Sequence, residues 1–295
     1  MERNGSINRA NITMILFLLL VSNVFAQGIV SDETMLNETD NAPEYLHDRG
    51  EGIPSSMFGT YVKKGQLLLY PFYEYYIDSD IEYSPNEFGN YPDEDYRGKY
   101  SAHEGLIFIG YGITEWLMVE FEAAVISAKL EKSGDDTSGM PSTFEESGLG
   151  DVEGQFRWRW AKENERRPEL FSYLEVVFPV NKDKTMIGTQ DWEYKFGVGV
   201  MKGFSFGTVT FRAATEYDRS EEKVELGEVA LEYLKKISNR WRVYGGFEGT
   251  QDEVEFLAEV QLHLNRNMFC RFNNGFGVTS KATDFAPEVG VVFSF

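Results

Sequence analysis

Beyond its first 26 residues the chain has no long hydrophobic run. A helix crossing a bilayer needs about 20 consecutive apolar residues, so no later segment can cross as a helix. If the mature chain enters a membrane, it must do so as a closed barrel, which satisfies its own backbone hydrogen bonds. Cysteine is almost absent. The lone Cys270 excludes an intramolecular disulfide and a multi-cysteine metal site. No cysteine stands directly after the leader, which argues against a lipoprotein anchor. Positive charge is in deficit, with 28 Lys and Arg against 48 Asp and Glu and a formal net charge of -20. A surface that acidic repels phosphate backbones, so a nucleic-acid partner is excluded.

Aromatic residues, in contrast, are abundant. They make up 15% of the chain, with 16 Tyr and 23 Phe, while the hydrophobic fraction is an ordinary 42%. Much aromatic content without apolar runs is what alternation of apolar and polar residues produces. The N-terminus has its own pattern. Arg3 and Arg9 form a basic region, residues 12–21 an apolar core, and Val24, Phe25 and Ala26 a small-x-small site. The apolar core is too short to span a membrane. Residues 1–26 therefore read as a signal peptide cleaved between Ala26 and Gln27. Residues 27–65 are polar, acidic and punctuated by Gly and Pro. Residues 27–49 read as a flexible periplasmic leader. Residues 50–61, with Pro54, Met57 and Phe58, are candidates for docking on the barrel or entering its mouth.

From residue 66 to residue 295 a period of two dominates. Arg157 and Arg159 alternate with Phe156, Trp158 and Trp160. Glu255, Glu259, Gln261 and His263 alternate with Phe256, Ala258, Val260, Leu262 and Leu264. About twelve such runs are present, at 66–78, 101–111, 115–130, 150–161, 169–180, 192–201, 206–217, 224–235, 240–249, 253–264, 268–277 and 285–295. Soluble strands average five or six residues, whereas a tilted strand of about 9–11 residues crosses the hydrocarbon layer. Long acidic connections at 78–99 and 131–149 alternate with short ones such as 112–114, 202–205, 237–239 and 265–267. The expected fold is all-β, an antiparallel transmembrane barrel of about 12 strands with both termini periplasmic and the long loops outside. Its last strand carries Val289, Val291, Phe293 and Phe295 at alternate positions up to the final residue. That is an edge the barrel-assembly machinery could read by β-augmentation.

The polar set cannot face lipid, because a charge at the midplane costs about 2–4 kcal/mol on a barrel's outer face. The expected lumen-lining residues are Glu120, Glu122, Glu153, Gln155, Arg157, Arg159, Glu175, Glu193, Lys195, Arg212, Glu216, Glu228, Glu232, Arg242, Glu248, Glu255, Glu259, His263, Arg271 and Glu288. Glu120 and Glu122 are placed to pair with Arg157 and Arg159 on the next strand. Twelve strands lie between the filled eight-stranded barrel and the open sixteen-stranded porin. Two readings stand: a narrow pore whose charges set selectivity, or a lumen closed by salt bridges with a structural or surface-interaction role. The acidic loop residues Asp78, Asp80, Glu82, Glu87, Asp93, Glu94 and Asp95 read as a solvated loop, or as collectors of divalent ions that bridge to lipopolysaccharide.

Catalysis is not expected. His47 lies in the leader. His103 shares a strand face with Ser101 but has no third group, and His263 has carboxylate neighbours but no nucleophile. A membrane-embedded hydrolase is the remote third reading, and no metal or cofactor is expected. The Gly197 and Gly199 pair lies inside an expected strand and not at a strand-to-helix turn, which argues against nucleotide binding.

Gly148-Leu149-Gly150-Asp151, followed by the alternating run 152–160, resembles the strand opening of the outer-membrane family called "MetA-pathway of phenol degradation". Tyr111-Gly112-Ile113-Thr114-Glu115 is similar to that family's short turn before a strand. Phe178-Pro179-Val180 resembles its strand end, without the usual Thr-Gly after the proline. The resemblance covers about residues 105–295. It implies an outer-membrane barrel linked to uptake of small, often aromatic or hydrophobic, compounds, and it assigns no catalytic residue. The expectation is a porin-like channel or facilitator in a Gram-negative-type outer membrane. Its expected partners are membrane lipid, lipopolysaccharide, the assembly machinery and a small-molecule permeant.

Overall fold

The computed structural model describes residues 42–91, 94–189, 191–219, 222–250 and 253–295. The expected cleavage site at Ala26 and Gln27 lies outside them. A 3-10 turn over Glu44–Leu46 comes first, then a small hairpin of β1 (Ile53–Pro54) and β2 (Tyr61–Val62). Twelve long strands follow: β3 (Leu67–Tyr83), β4 (Tyr96–Gly112), β5 (Leu117–Glu131), β6 (Thr143–Ala161), β7 (Glu169–Phe178), β8 (Glu193–Phe204), β9 (Gly207–Asp218), β10 (Lys223–Lys236), β11 (Trp241–Gly249), β12 (Val254–Asn265), β13 (Met268–Gly277) and β14 (Phe285–Ser294). Each pairs antiparallel with its neighbour in sequence, and β14 pairs with β3 to close a barrel. Closure leaves no unpaired edge. At the seam the backbones of Leu67 and Phe295 exchange hydrogen bonds of 3.0 and 2.9 Å, so the final residue is tied into the closing pair.

Period two sorts the side chains into two environments. Phe121, Phe156, Val198, Phe211, Leu231, Phe247 and Phe272 stand exposed on the outer face. Arg157, Arg271, Glu259 and Gln261, on the inner face, are at most 2% exposed. A soluble protein has the opposite distribution, and an apolar belt of that extent on a monomer marks a membrane surface. Trp116, Trp158, Trp160 and Trp241 stand exposed near the end that carries the short turns. Toward the other end Trp192 stacks on Tyr194, and Tyr194 on Tyr217, at ring separations of 6.5 and 6.4 Å. Two aromatic girdles fit the two interfaces of a bilayer.

Several strands outrun the expected runs. β3 and β4 have 17 residues each and β6 has 19. At about 3.3 Å per residue they reach roughly 55–65 Å, well past a hydrocarbon core about 30 Å thick. Beyond the hydrocarbon layer the outer face is solvated while the inner face still carries buried Tyr83 and Glu146, so no lipid-facing apolar row marks residues 143–149 and 79–83 in the sequence. Register shifts between Asp78 and Ile81, and between Leu226 and Val229, blur it further. The projecting part has a small core of its own, with Tyr83, Leu130 and Met140 buried among Phe88, Phe144 and Met186.

Candidate functional site

The hairpin of β1 and β2 lies inside the barrel, entered from the short-turn end. Its arms are apolar where they meet the wall. Ile53 and Val62 are each 1% exposed and pack on Leu68, Tyr70, Phe72, Phe108, Met118 and Val292. Burying a side chain of that size stabilises by about 1.5–3 kcal/mol. The tip, residues 55–60, closes with Ser55 N donating to Thr60 O at 2.8 Å. Beyond it, Ser56 donates to the Glu120 carboxylate through its backbone N (3.0 Å) and its Oγ (2.7 Å). The Phe58 ring lies 5.4 Å from that of Tyr244 and under the Arg271 guanidinium, 5.0 Å from its carbon. Tyr70 faces the same guanidinium at 4.7 Å, and Arg271 Nε donates to Glu259 at 2.8 Å.

Arg49 anchors the base of this stopper. Its Nη2 lies 3.2 Å from Glu163 and 3.1 Å from Glu169, with all three side chains at most 2% exposed. Asp48 accepts from Lys236 N at 2.9 Å and pairs with Lys235 at 3.3 Å. Gly203 makes room for this contact, since a Cβ there would fall 1.9 Å from the Tyr45 carbonyl oxygen. Residues 42–49, expected in the flexible leader because they are polar, thus include Asp48 and Arg49 at 4% exposure. Their charges are buried against partners far along the chain, which local composition cannot show.

The opposite mouth is narrowed by the β7–β8 connection. Ile187 is buried against Ala102 and Ala128, with Tyr76, Tyr100, Ile126 and Met186 around it, and these wall residues are inner-face positions of β3, β4 and β5. Glu146 holds that loop by accepting from Met186 N at 2.8 Å and Thr185 N at 3.3 Å. Asp151 accepts from Thr189 N. The lumen is therefore obstructed by a hairpin from one side and by a loop from the other.

Between the two obstructions the wall is acidic. Glu122 is paired in register with Glu153, and Glu104, Glu74 and Glu288 follow one another across β4, β3 and β14. Tyr70 hydroxyl donates to Glu288. A void beside the stopper tip touches Ser56, Glu120, Glu122, Glu153 and Glu175. Cations on this stretch are fewer. Lys195 pairs with Glu175 at 3.0 Å. Arg212 reaches Glu228 at 2.6 Å, Glu232 at 2.7 Å and Glu248 at 3.2 Å.

The structure distributes the remaining sequence candidates as follows. Arg157, fully buried, lies 3.5 Å from Glu120 and takes the Gln155 amide oxygen at 2.5 Å, with its guanidinium over the Tyr173 and Phe171 rings. Arg159 does not meet Glu122; it pairs with Glu169 at 3.1 Å, a residue the sequence did not single out. Glu193, Glu216 and Glu255 hold inner-face register positions next to Lys195 and Glu248. Arg242 and His263 line a cavity beside the stopper. Val289 and Phe295 are exposed on the outer face, while Val291 packs with Cys270, Met268 and Phe293. Asp80 and Glu82 pair with Arg97 at 3.7 and 3.0 Å; Asp93 lies outside the described residues. His103 is on the outer face, its Nδ1 2.6 Å from Tyr73 hydroxyl and its ring stacked on Tyr75. His263 contacts Gln261 at 3.4 Å and stacks on Phe269. Among the described residues no group of three or more His, Cys, Asp or Glu side chains is arranged to hold a metal ion. Gly197 and Gly199 face inward, where a Cβ would fall 2.1 Å from the Tyr173 or Phe171 ring. They serve packing under Arg157.

No protein-family model matches the chain, and no curated protein does. Solved structures do. The COG4313 outer membrane channel from Pseudomonas putida F1 superposes with a TM-score of 0.59 at 14% identity, over 82% of this chain and 99% of that one. The two share a fold. The KdgM porin in complex with oligogalacturonate scores 0.48 at 8% identity, over 77% of this chain and 99% of that one. The Ralstonia pickettii toluene transporter TbuX scores 0.43 at 9% identity, over 79% and 89%. The last two overlaps are too distant to bear on function. The fold is that of an outer-membrane barrel.

Proposed function

We propose that this protein is an outer-membrane channel for small molecules, held shut at rest by residues 42–65. The carrying observation is how the stopper is attached. Apart from the apolar packing of Ile53 and Val62, it is fixed by a few discrete polar contacts, at Arg49, Asp48 and Ser56, to acidic and basic residues of the wall. A barrel filled only for structural purposes has an uninterrupted packed interior. Here the interior between the obstructions is lined by carboxylates, and a separate covalently tethered segment obstructs it. A wall rich in carboxylates favours cations and neutral molecules over anions. In this reading the short-turn end is periplasmic, the chain is exported through cleavage between Ala26 and Gln27, and Phe295 belongs to the strand read during assembly. The COG4313 structure, titled an outer membrane channel, supports the class of activity. The similarity to the phenol-degradation family of barrels supports small, often aromatic, permeants. Liposome swelling tests the proposal. Proteoliposomes should admit small uncharged solutes slowly, and faster when the Arg49 anchor is removed. No swelling in either case would reject the channel and favour the closed structural barrel.

A further inference from the structure

A cavity of about 560 Å³ lies beside the stopper at the short-turn end, bounded by the stopper and by residues of β10 to β14 and β3. Its charge is opposite to that of the lumen beyond. Arg49, Lys63, Lys236, Arg242 and Arg266 line it, against the single carboxylate of Glu51. Arg49 is committed to Glu163 and Glu169. Arg242 is different. It is a half-buried strand residue whose side chain has no hydrogen bond or close ion pair among the described residues, with Tyr61 and Asp48 the nearest groups acting on its charge, and it lines the cavity. Asp48 is directed instead to Lys235 and the Lys236 backbone. A guanidinium taken out of bulk water without a partner is costly, and its planar fork matches a carboxylate in two parallel hydrogen bonds. Leu68, Tyr61 and Phe269 give the wall an apolar and aromatic patch, set among the polar side chains of Thr60, Gln66, Asn239, His263, Asn265 and Ser294. The volume suits a small organic ligand, since such sites run to about 300–1,000 Å³ with a few fixed polar groups.

We propose that this cavity is a binding site for a small organic monocarboxylate, with its carboxylate on Arg242 and its apolar body against Leu68 and Phe269. Such a ligand lies against the barrel wall beside the stopper. The site deepens the channel reading but does not depend on conduction, because binding is measured on protein in detergent and flux is measured separately.

The test is isothermal titration of the full chain in detergent, with hexanoate, hexylamine and inorganic phosphate as probes. Hexanoate should bind, hexylamine should not, and phosphate should bind at least ten-fold more weakly for lack of an apolar body. Arg242→Gln should weaken hexanoate at least ten-fold, with heat-modifiable gel mobility showing an intact barrel. Glu122→Gln, on the acidic stretch, should leave it unchanged. Equal binding of hexanoate and hexylamine, or no effect of Arg242→Gln, would overturn the proposal. Phosphate as tight as hexanoate would reject the organic ligand. The same carboxylate chemistry is carried by Asp32, Glu33, Glu38 and Asp40, which precede the stopper in the sequence. A chain with all four changed to Asn or Gln should bind hexanoate with unchanged affinity. Binding seen only in that variant would mean the protein's own carboxylates occupy the site, and would refute the free ligand.

Discussion

Replacing Arg49 by Ala should open the channel without unfolding the barrel. In the shut form Arg49 faces two carboxylates, Glu163 and Glu169, at 3.2 and 3.1 Å, all nearly inaccessible to water. Removing one partner of a buried ion pair costs about 3–5 kcal/mol, because the other charge is left uncompensated. Compensation is partial here, since Glu163 keeps Lys202 at 2.9 Å and Glu169 keeps Arg159 at 3.1 Å. The lower end of the range, about 3 kcal/mol, therefore applies. In the open form those carboxylates face water and lose little. The shut-to-open balance should shift by about 3 kcal/mol, or roughly a hundred-fold in open population. The Ser56 and Phe58 contacts and the burial of Ile53 and Val62 remain, so the variant should gate rather than stay open. Single-channel recording in planar bilayers measures the open fraction directly. An open fraction within two-fold of wild type, in a variant with normal heat-modifiable mobility, would refute the assignment of Arg49 as the anchor.

Ser56→Ala removes one hydrogen bond to a buried carboxylate but leaves the backbone one. A loss of about 1.5 kcal/mol predicts an increase in open fraction near ten-fold, smaller than that for Arg49→Ala in the same recordings. Glu122→Gln combined with Glu153→Gln should lower the cation-to-anion permeability ratio several-fold, read as a reversal potential closer to zero in a salt gradient. Gly199→Ala places a methyl 2.1 Å from the Phe171 ring and should cost about 3 kcal/mol through overpacking, lowering the urea midpoint of the refolded barrel. At the long-loop end, Ser79 donates to Asp284 through N (2.9 Å) and Oγ (2.5 Å), which holds that carboxyl below its ordinary value. The latch contributes fully above the ordinary Asp value of about 3.9 and is lost as pH falls through the lowered one. Exchange of the Ser79 amide, corrected for its intrinsic rate, should therefore quicken between pH 5 and pH 2.

The strand core of the barrel was legible because one physical rule wrote it. Lipid on one side and polar groups on the other force a period of two, so Phe156 to Trp160 and Phe256 to Leu264 announce their strands. Where that rule stops, the sequence becomes mute. The projecting half of β6 and the tips of β3 and β4 have no lipid-facing apolar side, and their pairing is visible only in three dimensions. The stopper was only half readable. Pro54, Met57 and Phe58 looked out of place in a polar segment, and they do sit against the wall. Asp48 and Arg49 looked like solvated leader, and nothing nearby in sequence indicates Lys235, Glu163 or Glu169, more than 110 positions away. Glu169 escaped notice because it opens a strand beside a turn, where a carboxylate is ordinarily solvated. In the sequence Arg242 is one lumen-lining residue among twenty, and its lack of a close ion pair shows only once the neighbouring strands are in place.

The central claim is that residues 42–65 are what keeps a conducting barrel shut. Unitary conductance of the full chain and of a chain lacking residues 53–62, recorded in the same bilayer, tests it most directly. The full chain should show brief, rare openings, and the shortened chain long openings of larger unitary conductance. Equal conductance in the two, or silence in both from barrels shown to be folded, would contradict it.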